Sequence, residues 1–69
     1  MNNVIRKGVR VRYIGPDAEL KQHFGIQTVV QKYGNMAAGY FPTRYSDGKY
    51  HSCRYAIPCN ELEIVNKGD

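Results

Sequence analysis

Residues 40–55 read YFPTRYSDGKYHSCRY. Two aromatic, alternating runs flank Asp47-Gly48, a dipeptide suited to the positive φ angles of a two-residue hairpin turn. A turn centred there sets Tyr45 opposite Tyr50, Arg44 opposite His51, Pro42 opposite Cys53 and Tyr40 opposite Tyr55. Tyr45, Tyr50, Phe41 and Arg54 then share one face, and Tyr40, Tyr55, Cys53 and His51 the other, because strand side chains alternate. Pro42 has no N–H to give to a ladder, which predicts an edge position or a bulge.

Outward from this hairpin the chain continues in the same style. VIRKGVRVRYIGP (4–16) alternates, with Val9, Val11 and Tyr13 on one strand face and Arg10, Arg12 and Ile14 on the other, until Gly15-Pro16-Asp17 turns it. Residues 18–24 are helix-compatible but only a turn or two long, and Gly25 cuts them off, so a loop with at most one helical turn is expected. IQTVVQKY (26–33) mixes β-branched, aromatic and polar residues and predicts one strand ending at Gly34-Asn35. Residues 36–39, MAAG, form a weak connector before the hairpin. After it, AIPCN (56–60) breaks the pattern, and ELEIV (61–65) alternates as a last strand with Leu62 and Ile64 inward and the glutamates outward.

A chain of 69 residues has room for one core, burying roughly 60% of its unfolded surface. Hydrophobic content of 42% with 23% charged residues is that of a folded domain. The net charge is +4, unevenly spread: residues 1–54 carry +6 and residues 55–69 carry −2, counting Lys67 against Glu61, Glu63 and Asp69. Such a surplus attracts polyanions without amounting to a basic tail. No run approaches the roughly 20 apolar residues of a membrane span, and residues 1–7 lack the apolar stretch of a secretory signal, so a cytoplasmic protein without a membrane partner is expected. Two cysteines, Cys53 and Cys59, suit that compartment as free thiols.

Short strands, turns about every ten residues and no βαβ spacing predict an all-β fold, a small five-stranded barrel occupying the whole chain as a single domain. The opening KGVRVRYIGP, Gly25 before the second strand, SDGKY and the closing NELEIV resemble the landmarks of the SH3-like barrel, and of its KOW-type members in ribosomal and transcription-elongation proteins. That resemblance covers nearly the whole chain and implies an SH3-like β-barrel that binds nucleic acid.

Five of the six tyrosines directly follow Arg or Lys. Tyrosines can serve as stacking platforms and the basic groups as phosphate contacts, which makes Arg10, Arg12, Lys32, Arg44, Tyr45, Lys49, Tyr50 and Arg54 candidate nucleic-acid-binding residues. The same interleaving also suits a hairpin that packs its tyrosines and solvates its basic neighbours, and an aromatic groove on so small a barrel suits a protein partner, as in an adaptor or inhibitor. Chemistry is not expected: the acids are scattered, no base flanks a nucleophile, and no phosphate loop is present. His51, Cys53, Cys59 and His23 are zinc-ligand types, but no Cys-x-x-Cys knuckle organises them. No cofactor is expected.

Overall fold

The computed structural model describes residues 4–65; the Lys67 and Asp69 charges of the acidic end, and residues 1–3 of the N-terminal segment, lie outside the described residues. Along the chain run β1 (Arg10–Tyr13), α1 (Ala18–Phe24), β2 (Gln27–Thr28), β3 (Gln31–Tyr33), β4 (Met36–Arg44), β5 (Tyr50–Pro58), a 3₁₀ turn (Cys59–Glu61) and β6 (Leu62–Ile64). The strands form two antiparallel sheets ordered β2-β1-β6 and β3-β4-β5. The expected β-rich single core is present, but the described residues hold six strands rather than five, and their hydrogen bonding does not close into a barrel.

The extra strand arises where one strand was expected over residues 26–33. The Val29 N–H donates to Val9 of the first sheet's side at 2.9 Å, whereas the Val30 N–H donates to Ala38 of β4, also at 2.9 Å. One residue therefore carries the chain from one sheet to the other, and the ladder is interrupted there although the β-branched pattern runs on. Residues 36–38, expected as a connector, are instead the paired start of β4, with Tyr33 opposite Met36 across Gly34-Asn35. Of that two-residue turn only Gly34 has a positive φ, 59°, the arrangement of a type II′ hairpin.

Residues 18–24 fold as a helix rather than a loop. Asp17 caps it, its Oδ1 accepting from the Leu20 N–H at 3.1 Å, and Gly25 ends it with a φ of 62°. A helix this short is not stable alone. It is held by Phe24, which is 1% exposed and packs its ring 5.0 Å from that of Phe41. Burial of each such ring contributes about 1.5–3 kcal/mol.

Val11 and Tyr13 of β1, Val29, Ala37 and Phe41 of β4, Ile57 of β5 and Leu62 of β6 complete the core around them. Arg10 and Arg12 point to solvent between Val11 and Tyr13, as the alternation predicts. Glu61 departs from expectation: it turns inward enough to accept from the buried Tyr13 hydroxyl at 3.1 Å. That hydroxyl also accepts from the Asp17 N–H at 3.3 Å, so one phenol ties β1, the helix cap and the 3₁₀ turn together. The sheets meet closely at Gly39, where a Cβ would lie 2.7 Å from the Phe41 ring and 2.9 Å from the Thr28 carbonyl oxygen.

Candidate functional site

The hairpin that displays most of the candidate residues turns about Asp47 rather than between Asp47 and Gly48, so every cross-strand partner shifts by one residue. Tyr45 N–H donates to the Lys49 carbonyl and Gly48 N–H to the Tyr45 carbonyl, each at 2.9 Å. The Asp47 side chain accepts from the Lys49 N–H at 2.9 Å. A two-residue turn of the expected type needs positive φ at both central positions, and here only Gly48 has it, at 82°. The chain adopts a three-residue loop, Ser46-Asp47-Gly48, with the glycine in the left-handed position.

Register follows the loop. Arg44 now faces Tyr50, Thr43 faces His51, Phe41 faces Cys53 and Tyr40 faces Arg54, so the expected Tyr45–Tyr50 and Tyr40–Tyr55 pairs do not form. A one-residue slip regroups the faces: Tyr40, Arg44, Tyr50 and Arg54 share one, and Phe41, Tyr45, His51, Cys53 and Tyr55 the other. Phe41 and Tyr55 meet edge to face in the core at 5.5 Å. Tyr45 lies against His51, ring centroids 4.4 Å apart, and its hydroxyl is 2.8 Å from the Cys53 sulfur. Tyr50 stacks on His23 of α1 at 3.9 Å. Pro42 behaves as an edge residue: β3 reaches only residues 36–38 of β4, so the missing N–H faces no strand among the described residues.

The new register builds a feature that the sequence did not point out. Tyr33 of β3 and Tyr40 of β4 are 54% and 52% exposed, and Arg54 of β5 lies across from Tyr40 on the same face. Its guanidinium donates to the Tyr33 hydroxyl at 3.4 Å. Hydrogen bonds to Tyr33 first, and to Tyr40 second, hold the Arg54 pKa above its ordinary value. Two exposed phenol rings thus flank a permanently charged planar group on a solvent-facing sheet. Tyr33 and Tyr40 were not among the candidates; the signal was the register, which the Asp-Gly dipeptide misplaced.

The eight candidates divide among four places rather than forming one patch. Arg10 and Arg12 lie on the first sheet, and Arg12 is tied to Glu63 at 2.8 Å. Arg44, Tyr45, Lys49 and Tyr50 cluster at the hairpin end, where Arg44 pairs with Glu19 of the helix at 3.2 Å. Both ion pairs are exposed and contribute at most about 1 kcal/mol, yet each neutralises an arginine. Arg54 stands on the tyrosine face, whereas Lys32, opposite Ala37, projects from the other face of the sheet. Burial raises the Tyr50 pKa, with a hydrogen bond to Glu19 adding to it; the hydrogen bond to Cys53 raises that of Tyr45.

Between the start of α1 and the hairpin runs a groove of about 510 Å³ whose walls include Asp17, Leu20, Pro42, Arg44, Tyr50 and Tyr55. Neither Cys53 nor Cys59 is bridged, and both are half-buried. Among the described residues no three His, Cys, Asp or Glu side chains are grouped to hold a metal ion, and no helix is long and apolar enough to cross a membrane.

The chain matches no family model, no curated protein and no solved structure in these comparisons. Function therefore rests on the geometry alone.

Proposed function

We propose that this chain is a small, non-enzymatic, cytoplasmic binding module of SH3-like topology that holds nucleic acid on the Tyr33–Arg54–Tyr40 face. The topology is supported by the strand order, by a segment shared between two sheets at Val29-Val30, and by the 3₁₀ turn before the last strand. The single observation that carries the ligand is the pair of half-exposed tyrosines flanking an arginine on an open sheet face. Unpaired bases stack on such rings whatever their sequence, and the guanidinium supplies both a stacking plane and a charge for the backbone. Arg10, Lys32 and Lys49 add long-range attraction to a phosphate chain, and Tyr45 and Tyr50 stand at the hairpin end beside Arg44.

A second reading, a protein partner, is favoured by the groove beside α1. It combines apolar walls from Leu20, Pro42 and Tyr55 with two acids, Asp17 and Glu19, and two arginines, Arg44 and Arg54, a mixture that suits a peptide better than a polyanion.

Fluorescence anisotropy of labelled single-stranded DNA and RNA separates the two. The nucleic-acid reading predicts binding at about 50 mM salt that falls steeply by about 200 mM. Tyr33→Ala and Tyr40→Ala should each weaken it by about 5- to 100-fold, and Arg54→Ala should lower the slope of log affinity against log salt by about one. Absence of binding at the lower salt, or tyrosine variants that bind like the parent, would overturn it.

A further inference from the structure

β5 is nine residues long and pairs with β4 along one side; among the described residues no strand pairs with its other side. Which groups face that open side follows from the hairpin. Tyr45 and Lys49 are a hydrogen-bonded pair, and such pairs alternate along an antiparallel ladder. His51, Cys53, Tyr55 and Ile57 therefore bond to β4, while the N–H groups of Tyr50, Ser52, Arg54 and Ala56 point away from it. Pro58, which lacks an N–H, bounds the row. A long edge of this kind is ordinarily blunted by a lysine, a bulge or a proline within it. Between Tyr50 and Ile57 β5 has no lysine, bulge or proline, and Arg54 is its one permanently charged side chain.

We propose that this edge pairs antiparallel with the same edge of a second copy, about a twofold axis centred on Cys53, joining two three-stranded sheets into one of six strands. The register is argued from three constraints. Centring on Cys53 sets Tyr50 opposite Ala56 and Ser52 opposite Arg54 of the second copy, so all four outward N–H groups of each chain find a carbonyl. Centring on Arg54 would oppose two guanidinium groups directly, and like charges across a ladder destabilise it. Centring on Ser52 pairs fewer residues and leaves the Ala56 N–H against the hairpin loop. In the chosen register the two Cys53 residues form a non-hydrogen-bonded pair with Cα atoms about 4.5 Å apart, within the range a disulfide spans. The inference stands apart from the nucleic-acid reading: a monomer that binds oligonucleotides refutes the pairing alone, and a dimer that binds none refutes the ligand alone.

Sedimentation equilibrium of the full chain under reducing conditions, from micromolar to millimolar concentration, should give a monomer–dimer equilibrium. Ser52→Pro removes an N–H that the β4–β5 ladder does not use, so it should abolish the dimer while circular dichroism reports an unchanged fold. Two further variants keep the test sharp should that one misfold. Ser52→Arg sets like charges opposite each other and should weaken the dimer about fivefold, whereas Ser52→Glu, facing Arg54 of the second copy, should tighten it by a similar factor. Oxidation of the Cys59→Ser variant with copper–phenanthroline should link the copies through Cys53. A monomer at every concentration overturns the proposal, whatever peptide the edge then accepts. So does a dimer indifferent to both charge variants, or one that Cys53 cannot link.

Discussion

Replacing Gly39 by alanine tests how closely the two sheets are held. The new methyl carbon would sit 2.7 Å from two atoms of the Phe41 ring and 2.9 Å from the Thr28 carbonyl oxygen, so something must move. The ring has little freedom: Phe41 is 0% exposed, with Phe24 at 5.0 Å and Tyr55 at 5.5 Å. Thr28 is backbone, paired with Arg10 in the first sheet. Overpacking of this kind costs about 1–3 kcal/mol, and alanine's smaller loss of backbone freedom offsets about 0.5–1 kcal/mol. The net loss of about 1–2 kcal/mol is a large share of the roughly 3–10 kcal/mol expected of a chain this long. Urea unfolding followed by circular dichroism should show the midpoint lowered by about 1–2 M at unchanged slope, for a slope near 1 kcal/mol/M. Phe41→Leu in the same chain should make room, so that the double variant is less unstable than the two single losses added together. A Gly39→Ala protein as stable as the parent would refute the close approach of the sheets.

Three other outcomes follow from the same geometry. Asp17→Ala should cost about 1 kcal/mol and speed hydrogen exchange at the Leu20 amide, whose acceptor it removes. Burial raises the Tyr13 pKa, the bond to the Asp17 backbone opposes this, and Glu61 reinforces it; the fold therefore retains the phenol proton, and its contribution is complete below pH ~10 and lost as pH rises through the raised value. Base-induced unfolding of Tyr13→Phe should depend less steeply on pH, with the remainder left to Tyr50 and Tyr55, whose pKa values burial also raises, and to Tyr45, raised by its hydrogen bond to Cys53. Glu63→Gln removes one negative charge and frees Arg12 from its ion pair, so it should tighten oligonucleotide binding about two- to fivefold at low salt through long-range attraction while changing stability by less than about 1 kcal/mol; unchanged binding would show that charge on the first sheet does not act on a ligand held at the tyrosine face.

Much of the fold could be read from period-two patterning. Val11 and Tyr13 are buried between Arg10 and Arg12 as the alternation required, and Leu62 is buried beside an exposed Glu63. What escaped reading was decided by single groups. Asp47-Gly48 signalled a tight turn, but Asp47 keeps a negative φ and spends its side chain on the Lys49 amide, which slips the register and redistributes every tyrosine of the hairpin. Helix α1 is too short for periodicity to reveal, and its stability comes from Phe24 against Phe41, a contact between residues far apart in sequence. Tyr33 and Tyr40 looked like any other half-buried strand tyrosines until pairing set Arg54 beside them.

The pairing of β1 with β6 has a further consequence for how the protein forms. Val11 lies opposite Ile64, about fifty residues away along the chain, whereas β4 and β5 are joined by a short loop. Closing a long loop costs entropy before any contact offsets it, so the local hairpin can form early and the first sheet must wait for nearly the whole chain. During synthesis on a ribosome, Val11 and Tyr13 would then remain without their β6 partners until Leu62–Ile64 had emerged. A protein with such high contact order folds in milliseconds to seconds rather than microseconds.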